Sequence, residues 1–169
     1  IKTAETESQF ALSPRIGVSF PITTHSKLFF NYGHFRQMLD PMDIFQIEQD
    51  NSGFVGVIGN PNHPMPRTVA YEIGYEHNLF NQFLIRATGY YKALDNQARG
   101  VDFVSGDGRV VYEKSLPNNY EDIRGFEVSL RKVAGQFVRG FVNYTYMAEK
   151  SGNFGYGTYY QNPIEQREY

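Results

Sequence analysis

The chain has no cysteine among its 169 residues. Disulfides, thiolate metal sites and cysteine nucleophiles are therefore excluded together. Tryptophan is also absent, so the aromatic content comes entirely from 14 phenylalanines and 13 tyrosines. No stretch approaches the roughly 20 consecutive apolar residues of a membrane-spanning helix. The sequence therefore excludes a helical membrane protein.

The chain also lacks a strong charge of one sign. Its formal net charge is −2 and its pI is about 6.1, so the basic footprint of a nucleic-acid binder is missing and no nucleic-acid partner is expected. The mean hydropathy of −0.47 is low, but a membrane β-barrel can have such a value because only every second strand residue meets lipid. Aromatic residues make up 16% of the chain, which is typical of β-sheet surfaces and membrane interfaces.

The most informative pattern is a long alternation in Arg67–His77. One parity holds the apolar residues Val69, Tyr71, Ile73 and Tyr75, and the other holds small or charged residues. Successive side chains of a strand point to opposite faces, so the segment predicts a two-faced strand. Soluble strands usually end after about five or six residues. A strand of roughly ten residues is long enough to cross a bilayer.

The same two-residue period recurs along the chain. The six stretches that show it are Arg15–Phe20, Ser26–Phe35, Arg67–His77, Phe83–Lys92, Asp122–Arg131 and Phe137–Met147. A shorter candidate strand, Arg109–Tyr112, follows the turn signal Gly106–Gly108 and predicts a hairpin inside a loop.

The connections between these strands alternate in length. Short links give three hairpins, at about 14–35, 67–92 and 122–147, and long loops separate them at about 36–66, 93–121 and 148–169. Strands that run up and down then place all the short turns at one end, as in outer-membrane barrels. The predicted fold is all-β, with residues 1–169 as one antiparallel up-and-down segment of a transmembrane β-barrel. Its six or seven strands do not close alone, because membrane barrels need about eight.

The polar parity of the strands carries charges of both signs. In a barrel these side chains line a wet interior and pair across strands. A solvated face of a soluble sheet is the alternative for each residue taken singly. The set comprises Arg15, Lys27, Glu72, Glu76, Arg86, Lys92, Glu127, Arg131 and Arg139.

No group of residues has the pattern of a catalytic, cofactor or metal site, so we expect no enzyme activity, cofactor or metal. The histidines lack metal-ligand spacing, the loop acids lack the order of a calcium loop, and the turn Ser105–Gly108 precedes no helix that would complete a phosphate cradle. Asn143–Thr145 matches a glycosylation acceptor but lies within a predicted strand. The histidines are His25, His34, His63 and His77, and the acids are Asp40, Asp43, Glu48 and Asp50.

Four segments resemble the C-terminal barrel of TonB-dependent outer-membrane receptors. A loop with Asn-Pro leads into a strand that ends in Tyr-Glu-apolar-Gly-aromatic-Glu, and a strand of the Arg-Gly-x-Glu type follows later. The segments are Gly59–Glu76, Ser13–Phe20, Phe29–Phe35 and Gly125–Leu130. The sequence departs from the family pattern at His63–Pro66, where the acidic residue before the strand is absent.

The resemblance implies a part of a larger receptor. Receptors of this family close a barrel of about 22 strands around a plug, and the plug engages TonB. The family pattern predicts that this sequence contains neither the plug nor the TonB box, that Ile1–Glu5 is not a leader, and that Pro163–Tyr169 is too charged to be an insertion strand. The resemblance implies energy-coupled import of a scarce nutrient (a metal chelate, a cofactor or a glycan) across the outer membrane of a Gram-negative-type bacterium. The expected partners are outer-membrane lipid, the remaining strands and plug, the TonB complex through that plug, and an unidentified ligand.

Two other classes of protein remain open from the residues alone. Long aromatic strands with open edges are templates for edge pairing, so a self-assembling, fibre-forming β-protein is one alternative. A soluble β-sandwich that binds a ligand is the other, because its strands also alternate.

Overall fold

The computed structural model describes residues 6–49, 51, 53–135 and 137–161. Within these residues the chain is mostly strand, and the short helix is far from long enough to cross a membrane. The elements are β1 Arg15–Thr23, β2 Ser26–Arg36, α1 Pro41–Phe45, β3 Ile47–Gln49, β4 Val55–Ile58, β5 Arg67–Leu79, β6 Phe83–Val104, β7 Val111–Lys132, β8 Gly140–Asn153 and β9 Thr158–Tyr160.

The long strands form one antiparallel meander in the order β1-β2-β5-β6-β7-β8. The sheet curls into an open half-barrel, which confirms the predicted fold class. The β2–β5 and β5–β6 pairs have a continuous register: Leu28 pairs with Tyr75, and Tyr75 with Ala87. Because the side-chain period is two, this register gives every strand the same two faces. We call the concave polar face the inner face and the apolar one the outer face.

The β1–β2, β5–β6 and β7–β8 connections lie at the same end of the sheet, which we call the turn end. In the β5–β6 turn, Phe80 and Asn81 both have φ 55, and the Gln82 N–H donates to the Leu79 carbonyl at 3.1 Å. Two successive left-handed residues are the requirement of a type I′ hairpin. Asn adopts this conformation readily, but Phe pays a steric penalty.

We expect Phe80→Asn to stabilise the full-length protein by about 1 kcal/mol, because it relieves the left-handed strain. The ring is 78% exposed, so its loss removes little packing. Urea unfolding in detergent micelles measures the change, with Phe80→Leu as a control that removes the ring but keeps the strain. Equal midpoints for Phe80→Asn and Phe80→Leu would contradict the explanation.

The predicted loop 93–121 is wrong, because most of it is strand. β6 runs on to Val104 and β7 begins at Val111, so only a short turn joins them. The pairing shifts register between Leu94 and Gln97 and again before Arg99, and Asn96 has φ 57. Bulges of this kind break the two-residue alternation, which is why the periodicity ends at Lys92 while the strand continues.

At the other end, which we call the loop end, short strands extend the same sheet beside the β6–β7 hairpin, and we call this part the small sheet. β4 adds to β7 and β9 adds to β6, each in parallel, and β3 pairs with β4. Phe103 stacks on Tyr112 and on Tyr159 with ring centroids 5.3 Å apart in both cases. Val101 is only 1% exposed. The three rings therefore pack in one row across β9, β6 and β7.

The structure differs from the sequence prediction at three further places. The predicted loop 36–66 contains α1, β3 and β4, and the predicted loop 148–169 begins with the last residues of β8 and includes β9. The strand predicted at Phe137–Met147 starts at Gly140 and reaches Asn153. β3, β4 and β9 have only three or four residues each, so they are too short to show periodicity. Asp50, Ile1–Glu5 and Pro163–Tyr169 lie outside the described residues.

Candidate functional site

A polar trough of about 690 Å³ occupies the inner face. It crosses four neighbouring strands, and the register places its side chains in rows on the same face. Charges of both signs dominate its lining, as the polar parity predicts. The lining residues are Glu72, Glu76, Leu84, Arg86, Thr88, Tyr90, Lys92, Glu127, Ser129, Arg131, Phe141 and Asn143.

Two ion pairs join adjacent strands within the inner face. Lys27 Nζ lies 3.0 Å from Glu76 Oε1, and an Arg86 guanidinium nitrogen lies 3.5 Å from Glu72 Oε1. These four side chains are 21–47% exposed, so each pair contributes about 1 kcal/mol or less. Their main effect is to fix side-chain orientation along the trough.

Phe29 occupies a polar row of the inner face and is only 8% exposed. Its ring lies directly over Gly74, its register partner on β5, where a β-carbon would overlap the ring. The Arg86 guanidinium stacks on this ring at 4.6 Å from its centroid. The glycine therefore provides the space for an aromatic–cation stack that links three strands. The alternation pattern alone does not reveal this contact.

A second ring, that of Tyr90 in β6, lies over Gly125 in β7. The Tyr90 hydroxyl oxygen lies 2.7 Å from the position that a Gly125 β-carbon would take. Lys92 Nζ lies 5.6 Å from the centroid of this ring. Arg15 makes a similar contact with Phe35 at 4.4 Å. Inner-face cations thus use aromatic rings as well as carboxylates to hold their side chains.

Two cations of the predicted set extend the inner face toward the turn end. Arg131 lines both the trough and a smaller depression that it shares with Arg139. Arg139 precedes β8 rather than lying within it. Its side chain therefore belongs to the β7–β8 connection.

The outer face is apolar and exposed. Ile73 is 60% exposed and Tyr144 is 59% exposed. Near the loop end three tyrosines from adjacent strands form a row, with centroids 5.1 Å apart for Tyr32–Tyr71 and 6.3 Å apart for Tyr71–Tyr91. We call this the tyrosine row. Exposed apolar surface of this extent marks contact with lipid or another protein.

The apolar band of the outer face has a defined height. Leu79 pairs with Phe83 near the turn end, and Tyr71 pairs with Tyr91 eight residues away along β5. Eight residues span about 27 Å of strand, or roughly 20 Å vertically at the tilt of barrel strands. Between these two pairs, the described strands place no Asp, Glu, Lys or Arg on the outer face. The band therefore approaches the apolar height of about 25 Å in outer-membrane barrels.

The histidines and loop acids lie at dispersed positions. Within the described residues, no three His, Asp or Glu side chains form a group that could hold a metal ion. The expectation of no metal stays a prediction. His25 is in the β1–β2 turn, His34 contacts Tyr32, His63 is buried, His77 stacks on Tyr75, Asp40 caps α1, Asp43 lies in α1 and Glu48 lies in β3.

The turn Ser105–Gly108 is a tight, hydrogen-bonded tip of the β6–β7 hairpin. The Ser105 hydroxyl donates to Asp107 at 2.6 Å, and the Arg109 N–H donates to the same carboxylate at 3.2 Å. These bonds favour the ionised form and hold the pKa of Asp107 below its usual value. The Asp107 carboxylate therefore stabilises the turn through these two hydrogen bonds. Asn143 lies in β8 and lines the trough.

Comparison with known proteins agrees with this geometry. Residues 2–167 match the family model described as "TonB dependent receptor-like, beta-barrel". No curated protein matches the chain closely enough to count as a relative.

Two solved structures are similar in fold. "Copper transporter OprC" has 14% identity and a TM-score of 0.57 over 82% of this chain. "The FrpB iron transporter from Neisseria meningitidis (F3-3 variant)" has 11% identity and a TM-score of 0.56 over 83% of this chain. In each case the match covers 20% of the other protein's length. The chain belongs to the TonB-dependent receptor-like β-barrel family.

Proposed function

We propose that the chain is a barrel segment of an outer-membrane receptor that imports a scarce nutrient by energy-coupled transport. The observation that carries this proposal is the two-sided sheet. An uncharged apolar band lies on one face, and a charged trough lies on the other. A spanning strand needs this division, because one face meets lipid and the other lines the lumen.

The open edges of the sheet support further strands as partners. Among the described residues, β1 pairs only with β2, and β8 pairs only with β7. Unpaired backbone groups are too costly in a bilayer, so a membrane barrel must close. Further strands of the same receptor would complete the ladder.

The inner face supports a plug as the second partner. A wide barrel leaves a lumen that its own side chains do not fill. Charged side chains along the trough suit a polar domain within that lumen. In TonB-dependent receptors such a plug connects the barrel to TonB. The energy for import would reach this barrel through the same contact.

The substrate class we propose is a metal chelate, a cofactor or a glycan. The two similar structures are named as a copper and an iron transporter, which makes metal complexes the first class to test. Their identities of 14% and 11% bear on the fold alone.

Uptake by intact cells tests the proposal. Strains with and without the gene for the full-length receptor would receive labelled ferric citrate, copper(II), cyanocobalamin or an oligosaccharide. We expect at least one probe to accumulate only when both the receptor and TonB are present. Equal accumulation of all four probes in every strain would overturn the transport function.

Membrane fractionation separates this proposal from its alternatives. We expect the full-length protein in the outer-membrane fraction, from which detergent releases a monodisperse species. A folded monomer in the absence of detergent would favour the β-sandwich binding module. Insoluble fibres with a cross-strand repeat of about 4.7 Å would favour the self-assembling protein.

A further inference from the structure

The outer face carries cations on the loop-end side of its apolar band. Arg36, Arg67, Arg124 and Lys150 have the same strand parity as the tyrosines. Arg124 is level with the tyrosine row, Lys150 is two residues beyond it, and Arg36 and Arg67 are four residues beyond it. We call these four residues the outer cations.

Arg36 has an unfavourable neighbour in the sheet. It lies directly opposite Arg67 in register, and like charges at such positions destabilise a strand pair. Arg67 is neutralised by Asp95, with its Nε 3.2 Å from Oδ2. Among the described residues, the Arg36 guanidinium donates a hydrogen bond only to the Met65 carbonyl, at 3.5 Å. Its guanidinium forms no ion pair with the described residues.

Arg124 and Lys150 are similarly without ion pairs in the described part of the chain. Lys150 is opposite Asp122 in register, but that carboxylate accepts a 2.8 Å hydrogen bond from the Tyr91 hydroxyl. Both basic side chains are exposed. The four outer cations thus share this surface with two carboxylates, Asp95 and Asp122. Asp95 is already paired with Arg67, and Asp122 accepts the hydrogen bond from Tyr91.

The height of these charges matches a headgroup layer. Aromatic rows lie at the membrane–water boundary of barrels, so the tyrosine row marks the edge of the hydrocarbon. Four residues farther along a strand is about 14 Å of strand, or roughly 10 Å vertically at the tilt of barrel strands. Long basic side chains that start near this boundary place their charges among lipid headgroups.

We propose that the outer cations, chiefly Arg36 and Arg124, bind phosphate groups on the headgroups of outer-leaflet lipids. This inference rests on the proposed function, because it requires the strands to span the outer membrane with the loop end outside. A guanidinium can donate two parallel hydrogen bonds to a phosphate, which suits both arginines. Such an anion would also relieve the repulsion between Arg36 and Arg67.

Lipid binding by the full-length receptor tests the inference. The test variant is Arg36→Gln/Arg124→Gln. The matched control is Arg15→Gln/Lys92→Gln, whose residues belong to one register row at similar height on the inner face. The detergent-solubilised receptor would be titrated with lipopolysaccharide, enzymatically dephosphorylated lipopolysaccharide and inorganic phosphate.

We expect the test variant to bind lipopolysaccharide about tenfold or more weakly, with the control variant near wild type. Dephosphorylation is expected to weaken wild-type binding to a similar extent. Equal binding by wild type and the test variant would overturn the inference. Displacement of the lipid by millimolar inorganic phosphate would show a general anion site instead of a lipid site.

Two further readouts keep the outcome clear. If the double variant does not fold, the single variant Arg124→Gln, at an exposed position, replaces it. This variant is expected to lose part of its affinity for lipopolysaccharide. Wild-type affinity of Arg124→Gln for lipopolysaccharide would overturn the inference. Probe uptake is measured on the same variants. Loss of lipid binding in a receptor that transports none of the probes would contradict the transport function alone. Normal uptake with unchanged lipid affinity would contradict the lipid site alone.

Discussion

Replacing Ile73 with arginine is expected to destabilise the full-length receptor in lipid vesicles by about 2–4 kcal/mol. Ile73 lies between the turn-end and loop-end limits of the apolar band and is 60% exposed. A charge at this depth would face hydrocarbon. In water the same exposed side chain would tolerate arginine with little cost, so the size of the loss reports the surroundings of the outer face.

Thr88→Arg is the matched control for this substitution. Thr88 is in the neighbouring strand but lines the inner trough, and it lies directly opposite Glu127 in register. An added guanidinium there meets a carboxylate and water, so a change within about 1 kcal/mol is expected. Denaturant unfolding in vesicles measures both variants. A small effect at Ile73, equal to that at Thr88, would place the outer face in an aqueous environment.

Gly74→Val is expected to cost about 1–3 kcal/mol, because its side chain displaces the Phe29 ring that covers the glycine. The Arg86 guanidinium would then lose its stacking surface. Gly89→Ala is the control, since the nearest atom to a β-carbon there is 4.0 Å away. Little change is expected for that control.

A double-mutant cycle separates this contact from a general intolerance of valine. In the Phe29→Ala background the ring is gone. Gly74→Val should therefore lower the free energy of unfolding by at least about 1 kcal/mol less than it does in wild type. Unfolding free energies of the four proteins give the coupling directly. Strict additivity would show that the ring and the glycine act independently.

The sequence predicts the barrel strands well because their signal is periodic. Six stretches with a period of two match β1, β2, β5, β6, β7 and β8, and the turn end follows from the short links. Phe29 is the instructive exception on the inner face. Its parity is polar, and its role depends on Gly74 across the strand pair, so a pattern along one strand does not contain it.

The loop end is less predictable from the sequence for a physical reason. The bulge around Asn96 ends the alternation while hydrogen bonding continues. β4 and β9 add to the hairpin in parallel from distant parts of the chain. Pairings of this kind are tertiary contacts, and very short strands leave no periodic signal. The inner trough could be predicted as a charged face, but its volume depends on sheet curvature.

The central claim is that the outer face contacts lipid and the inner face does not. The absence of cysteine from this chain allows single labels at Tyr144→Cys on the outer face and Asn143→Cys on the inner face, in a full-length receptor without other cysteines. Spin labels report collision with lipid-soluble oxygen and with a water-soluble nickel chelate. We predict that the label at 144 in vesicles prefers oxygen and that the label at 143 does not. Strong collision of the 144 label with the nickel chelate, equal to that of a label at the exposed loop position Asp107→Cys, would contradict the account.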